Sequence, residues 1–418
     1  MVGLVVLPCG FRWDVGLASS IQANMAGVER SRGARWWALD LLDNRFPALH
    51  GLRVLAILTV VQFHLTWIYG GEEKIPIDLD FMTTSLTVFF GMDLFFMLSG
   101  FLIGSILLRS LETQGSQQVG RFYLRRAFRT FPPYYFVLTL LALTTVLTQA
   151  QRQNLPYEYL YATNFLWIRA NEVVMGWGWS LGLEEQFYLG VPLLFFLLYR
   201  MRTARARFVL LAALWFSGLL VRVGIHLSHL QWSDDDFRRA VYFRTYTRYD
   251  TLIAGILLAY VHQEWREPVT RWLKDPFHRA LLVVPSLGCL WLLMRPLLFG
   301  KEYERLMQVA SWGTLTTLMY FPWLLLLLYT DSWISRTLSH PLFRKIATLG
   351  YGVYLVHIPV LNRVLVPIAW ALARRHVPMA IVWPASLVAV MLLSLGFAYV
   401  LHLLIEKPSM WVRQKLAA

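Results

Sequence analysis

The apolar residues of this chain gather into ten runs, and that gathering restricts the fold more than any other feature. The runs cover residues 49–70, 84–108, 131–149, 184–200, 207–228, 249–262, 280–298, 312–330, 346–370 and 381–404. Roughly 17–25 residues of helix cross the hydrocarbon of a bilayer, and within it only helices and closed barrels satisfy every backbone polar group. The chain is 57% hydrophobic and 15% charged over 418 residues, far from the balance of an average soluble domain. The pattern predicts an all-α integral membrane protein, a polytopic bundle of about ten transmembrane helices. The third run opens on Pro132–Pro133, which predicts a tilted or broken helix there.

A formal net charge of +14 could suit a nucleic-acid partner, but the placement of the charges argues against one. With ten spans both termini share a side. That side carries 25 of the 39 Lys and Arg, the opposite side 13, and Arg222 falls within a span. By the positive-inside rule both termini are cytoplasmic, in a plasma (inner) membrane, with a basic surface beside anionic lipid. Cys9 and Cys289 are too far apart in this topology for a disulfide, no metal-ligand spacing exists, and Cys289 reads as a small apolar residue within a span. Met1–Gly10 is apolar but short and lacks a preceding charge, a poor signal peptide. Residues 1–45, with Arg30, Arg32 and Arg35, read as a cytoplasmic leader, disordered in part or with Met25 as the true start. Residues 46–408 form the membrane domain and 409–418 a cytoplasmic tail. No internal repeat is visible. Residues 150–183, rich in Tyr, Trp and Asn, form the longest stretch between spans and are expected to pack on the outer face, partly re-entrant.

Function is expected where polar groups interrupt these runs, because ionisable side chains inside a bilayer cost several kcal/mol. Arg53 and His64 stand 11 positions apart in the first run, about 16 Å along a helix. With Arg53 at one membrane face, His64 lies near mid-bilayer, where an imidazole can hold or release a proton. Asp93 sits in GMDLFFMLSGFLIG and needs a partner, His64 or an arginine. Ser99 and Gly100 in the same segment are small enough for close helix packing. Arg121, Arg125, Arg126 and Arg129 cluster in RFYLRRAFRTFPPYY, either as ordinary inside charge or as a phosphate site. Glu184 and Glu185 in GWGWSLGLEEQFYL suit a helix first turn, yet beside Trp177 and Trp179 they also suit a sugar surface. Arg248 and Asp250 read as an internal ion pair, His357 as a structural hydrogen-bonder, and Glu406–Lys407–Pro408 as the stop of the last span.

Taken in order, these segments resemble the acyltransferase-3 family of integral membrane acyltransferases over roughly residues 45–408. The resemblance rests on Arg53 and His64 with ten residues between, DLFFMLSGFLIG, FYLRRAFRTFPPYY, WSLGLEEQFY, RYDTLIAGILLA, YGVYLVH and the closing IEKP. It implies transfer of an acyl group, usually acetyl, from acyl-CoA as co-substrate to a hydroxyl, with no bound cofactor. Acceptors in the family are cell-surface glycans or lipid-linked saccharides, and sometimes macrolide-like metabolites. Carried onto this chain, the family's essential histidine corresponds to His64, its arginine partner to Arg53, its arginine pair to Arg126 and Arg129, and the glutamate of its WSL motif to Glu184. Some members carry a fused extracytoplasmic hydrolase-like domain, which is not expected in these 418 residues.

These expectations combine into a mechanism. His64 is a general base, or the carrier of an acyl-histidine, tuned by Asp93 or another carboxylate. Arg126 and Arg129, with Arg125, bind CoA phosphates at the cytoplasmic mouth. Glu184, Glu185 and Trp179 shape the acceptor side, and Ser99, Arg248, Asp250 and His357 contribute to substrate binding. The competing class is a secondary transporter, against which stands the absence of repeat halves. A non-catalytic scaffold is the third reading.

Overall fold

The structure, a computed structural model, describes residues 36–75, 90–114, 117–166, 169–294 and 309–417. The leader calls on Met1–Gly10, Cys9, Met25, Arg30, Arg32 and Arg35 lie outside the described residues, as do the ends of the runs at 84–89 and 295–298. The chain divides into two units, Met1–Asp40 and Leu41–Ala418, and the second carries everything that follows.

The second unit is helical. In chain order its helices are α1 (Pro47–Thr66), α2 (Gly91–Gln114), α3 (Gln117–Thr144), α4 (Gln149–Tyr159), α5 (Trp179–Arg200), α6 (Ala204–Ser228), α7 (Asp234–Tyr242), α8 (Thr245–Glu264), α9 (Arg266–Trp272), α10 (Pro276–Met294), α11 (Thr316–Tyr329), α12 (Trp333–Leu338), α13 (Pro341–Val360), α14 (Val366–Arg374), α15 (Met379–Leu401) and α16 (Lys407–Ala417). Among the described residues, eight helical segments are long and apolar enough to cross a membrane, which makes this a multi-pass membrane protein. The third and sixth apolar runs are helical too, within α3 and α8.

The core lies where α1, α2, α5 and α8 meet, around Phe101, Met97, Phe195 and Ile256. Close approach there depends on small residues, as expected for helices that meet without a hydrophobic drive between them. Gly100 of α2 lies against the Leu252 carbonyl of α8, where a Cβ would collide. Many other apolar side chains point outward along the spans, among them Leu189, Leu193, Phe196, Leu392 and Phe397, as a lipid-facing surface requires.

Two proline expectations are corrected. Helix α3 runs unbroken through Pro132 and Pro133 to Thr144. Each proline removes one backbone donor, but the helix pitch continues on either side. The last span does not stop at Pro408. A wide turn at His402–Glu406 runs straight into α16, so the helix continues through Pro408 with the local pitch loosened just before it.

The described residues of the stretch 150–183 form a cap. It consists of α4 and three single 3₁₀ turns at Thr163–Phe165, Ala170–Glu172 and Gly176–Gly178. Buried Glu158 ties the cap together, its carboxylate accepting from the backbone of Val174 (2.8 Å) and Met175 (2.7 Å). Burial pushes the Glu158 carboxyl above its ordinary range, and those two amides oppose the shift. Tyr134 reaches from α3 to the Glu158 carbonyl (3.0 Å), anchoring α4 to the bundle.

Candidate active site

Helix α1 carries both of its polar landmarks into the bundle. Pro47 opens it in the first turn, where a proline is tolerated, and the helix then runs without a break past Arg53 to His64. A wide turn at Trp67–Glu72 ends it. The 11-residue spacing puts the two side chains about 16 Å apart along the axis, so two separate polar centres form.

The first centre is a pair of histidines. His64 Nδ1 lies 3.0 Å from His357 Nε2 on α13. His357 Nδ1 lies 2.7 Å from the Tyr354 carbonyl, and a carbonyl only accepts, so Nδ1 of His357 carries its proton. With both rings neutral, Nε2 of His357 is bare and His64 Nδ1 donates to it. His64 Nε2 is thereby left unprotonated, with a lone pair available for a reacting hydroxyl. His357 is fully buried, which fixes its ring. Trp177 packs edge-on to it with centroids 6.4 Å apart, and the Tyr354 hydroxyl donates to the Trp177 carbonyl at 2.8 Å.

His64 of the pair lines a cavity of about 1000 Å³, formed by the His64 end of α1 with the cap, α7 and the turn before α11, and His357 lies behind it. Its walls are aromatic. Trp179 meets Tyr242 at a tilt (4.9 Å) and Phe243 edge-on (5.2 Å), and Tyr242 meets Trp312 edge-on (4.7 Å). Trp179 lines this cavity.

Glu184 does not. One helical turn and a residue beyond Trp179, it faces Ser99, Tyr188, Arg126 and Arg53, and it does not line the cavity. It belongs to the second centre, at the Arg53 end. There Arg53, Arg126 and Arg129 lie within electrostatic range of one another. Arg126 covers the Tyr188 ring at 4.3 Å, and the Ser99 and Tyr188 hydroxyls are 2.5 Å apart. Glu185 faces Thr130 and Arg126, while Glu406, bonded to His402 at 2.7 Å, stands near Arg129. Among the described residues, none of the three arginines has a carboxylate within ion-pair distance, and Glu184 Oε1 is buried without a hydrogen-bond partner. Three guanidiniums gathered without close carboxylates suit a ligand with several anionic oxygens. Arg125 is exposed and lies within electrostatic range of Arg413, which is also near Arg129.

The remaining candidates sit elsewhere. Asp93 does not touch His64. Its Oδ1 pairs with Arg248 Nη2 at 3.0 Å and accepts from Thr251 at 3.2 Å. Arg248 and Asp250 are not an ion pair with each other, because residues two apart on a helix face different directions. Asp250 pairs with Arg222 at 2.8 Å. All four charged groups are buried and lie outside the cavity lining. Asp250 fits only because two neighbours are glycines, Gly218 and Gly313. A Cβ at Gly218 would stand 2.7 Å from its carboxylate, and one at Gly313, whose φ is +101°, would collide with it. Arg248 reaches the site indirectly, its guanidinium 4.8 Å from the Tyr242 ring that forms the cavity wall. Among the described residues no group of His, Cys, Asp and Glu could hold a metal.

Sequence reasoning gave His357 a structural hydrogen bond or a place in substrate binding, and did not pair it with His64. The signal was present, since His64 and His357 each occur in an apolar run, but partnership across 293 positions has no local trace. The basic residues of the cavity, Arg169, Arg238, Arg239 and Arg244, also went unremarked.

A family model described as an acyltransferase domain matches residues 46–403. The peptidoglycan O-acetyltransferase OatA of Listeria monocytogenes is 28% identical over 351 residues, covering 76% of this chain and 49% of that protein. The O-acetyltransferase OatA of Staphylococcus aureus is 26% identical over 340 residues, covering 75% of this chain and 50% of that one. The chain therefore spans about half the length of the curated relatives it matches. No solved structure matches it.

Proposed function

The chain belongs to the acyltransferase family whose model covers 46–403, and from that membership we propose that it moves an acetyl group from acetyl-CoA to a hydroxyl of a cell-envelope glycan. The observation that carries the reading is the histidine pair, with His64 at the cavity wall and His357 behind it. The alcohol proton passes to His64 Nε2 as the oxygen attacks the thioester carbonyl. The C–S bond then breaks, and the departing CoA thiolate takes that proton back. A base so placed contributes about 10²–10⁴-fold. His357 acts on His64 rather than on substrate, holding its proton on Nδ1.

In this reading the Arg53 end faces the cytoplasm, as the distribution of Lys and Arg favours, and about ten helices cross the inner membrane with both termini inside. Arg53, Arg126 and Arg129 hold the phosphates of CoA, and the pantetheine arm spans the distance of about 16 Å to His64. The cavity takes the glycan, whose sugar faces stack on Trp179 and its neighbours. Peptidoglycan is the first acceptor to try, because a relative bears that activity in its name.

The test is CoA release from acetyl-CoA by the purified full chain. Release that requires an envelope-glycan extract supports the proposal. No release and no thermal stabilisation by acetyl-CoA would overturn it. Within the same assay, Arg126→Gln is expected to raise KM for acetyl-CoA about 10-fold or more, since it removes a charge-assisted hydrogen bond to phosphate. An unchanged KM would take Arg126 out of the CoA site.

A further inference from the structure

We propose that the indole N–H of Trp177 donates to the oxyanion that forms when the acceptor hydroxyl attacks the thioester, which makes Trp177 a catalytic residue. The proposal rests on the reading that His64 takes the proton of that hydroxyl.

The observation behind it is a donor without an acceptor. Among the described residues, Trp177 Nε1 is buried and has no hydrogen-bond partner. Leaving a buried N–H unpaired costs about 1–3 kcal/mol, so such a group calls for an explanation. Packing accounts for a similar one on α6, Trp215 Nε1, whose ring rests against the apolar core outside the cavity lining. Trp177 differs in its place. It lines the same cavity as His64, and its ring meets His357, the partner of His64, edge-on at 6.4 Å.

The indole is also held from behind. Trp177 sits in the single turn Gly176–Gly178 that leads into α5. Its carbonyl accepts from the Tyr354 hydroxyl at 2.8 Å, and that hydroxyl lies 2.5 Å from Ser180 Oγ. The Tyr354 carbonyl accepts from His357 Nδ1 at 2.7 Å. One tyrosine thus fixes both the turn that carries Trp177 and the ring that backs His64. A donor fixed before charge develops needs no reorganisation when it does, and its effect is greatest away from water. An indole nitrogen only donates, so Trp177 cannot compete with His64 for the proton.

The step balances as follows. The hydroxyl oxygen bonds to the carbonyl carbon, its proton passes to His64 Nε2, and the π electrons of the carbonyl move onto its oxygen. The Trp177 N–H stabilises that charge. The electrons then return, the C–S bond breaks, and the CoA thiolate leaves with the proton from His64.

The experiment compares acetyl-CoA with dithioacetyl-CoA, whose C=S sulfur accepts hydrogen bonds weakly, using an envelope-glycan extract as acceptor. It is run on the full native chain, on Trp177→Phe and on Trp177→His. Trp177→Phe keeps an aromatic ring and loses the N–H. Its kcat for acetyl-CoA is expected to fall about 10²-fold at an unchanged KM for acetyl-CoA. Its preference for acetyl-CoA over dithioacetyl-CoA is expected to shrink about 10-fold. Trp177→His keeps a ring N–H and is expected to retain most of that preference. Each preference is a ratio within one preparation, so partial misfolding cancels. A preference that Trp177→Phe leaves intact, or that Trp177→His loses as fully as Trp177→Phe, overturns the proposal and spares the acyltransferase reading. No acetyl-CoA turnover by the native chain overturns both.

Discussion

Replacing His64 with alanine is expected to lower kcat about 10²–10⁴-fold while acetyl-CoA still stabilises the protein against heat. The two readouts separate because the CoA phosphates are assigned to arginines about 16 Å away. His64→Gln is expected to fail equally, since an amide can neither take the proton nor carry an acyl group. His357 makes the prediction sharper. Its bare Nε2 is the acceptor that keeps the His64 proton on Nδ1. His357→Leu removes that partner and loosens the His64 ring, which also meets the Val60 carbonyl, so a loss of about 10-fold or more is expected at an unchanged KM for acetyl-CoA. His357→Gln, which offers a carbonyl oxygen, should recover part of it. The measurement is the rate of CoA release at saturating acetyl-CoA. Full activity in His64→Gln would end the role of His64 as base or as acyl carrier.

Membrane architecture was legible in the sequence because it depends on local quantities. Apolar run length marks a span, and the runs tested by the structure are helical. The prolines misled for a related reason. Pro132–Pro133 and Pro408 are local signals, but α3 continues through its two prolines and the wide turn at His402–Glu406 carries the last helix past Pro408. Pairings between distant segments were not legible. Asp93 needed a partner, and sequence admitted His64 or an arginine; only packing chose Arg248, 155 positions away. Glu184 and Trp179 are five positions apart in one motif, yet they face different polar centres, because α5 points one toward Arg53 and the other toward the cavity.

The four buried charges between α2, α6 and α8 yield the largest expected effect on stability. Asp93, Arg222, Arg248 and Asp250 are each at most 1% exposed and sum to zero charge. Asp93→Leu leaves a positive group without its partner in a dry interior, and a loss of about 3–5 kcal/mol is expected. Arg248→Met strands a carboxylate and should cost a similar amount. The double variant restores neutrality, so it is expected to be more stable than either single change. Arg248 suits this cycle because its guanidinium has no hydrogen bond beyond the ion pair, whereas Arg222 also donates to Val309, Thr247 and Thr314. Unfolding of all four proteins in one detergent gives the coupling energy. Single losses that simply add in the double variant would show that the pair acts by packing and not by charge. The same cycle reports on the site, because Arg248 supports the Tyr242 ring at the cavity wall. A double variant that recovers stability but not acceptor KM would separate the two roles of Arg248, the charge that α8 buries and the face it gives to Tyr242.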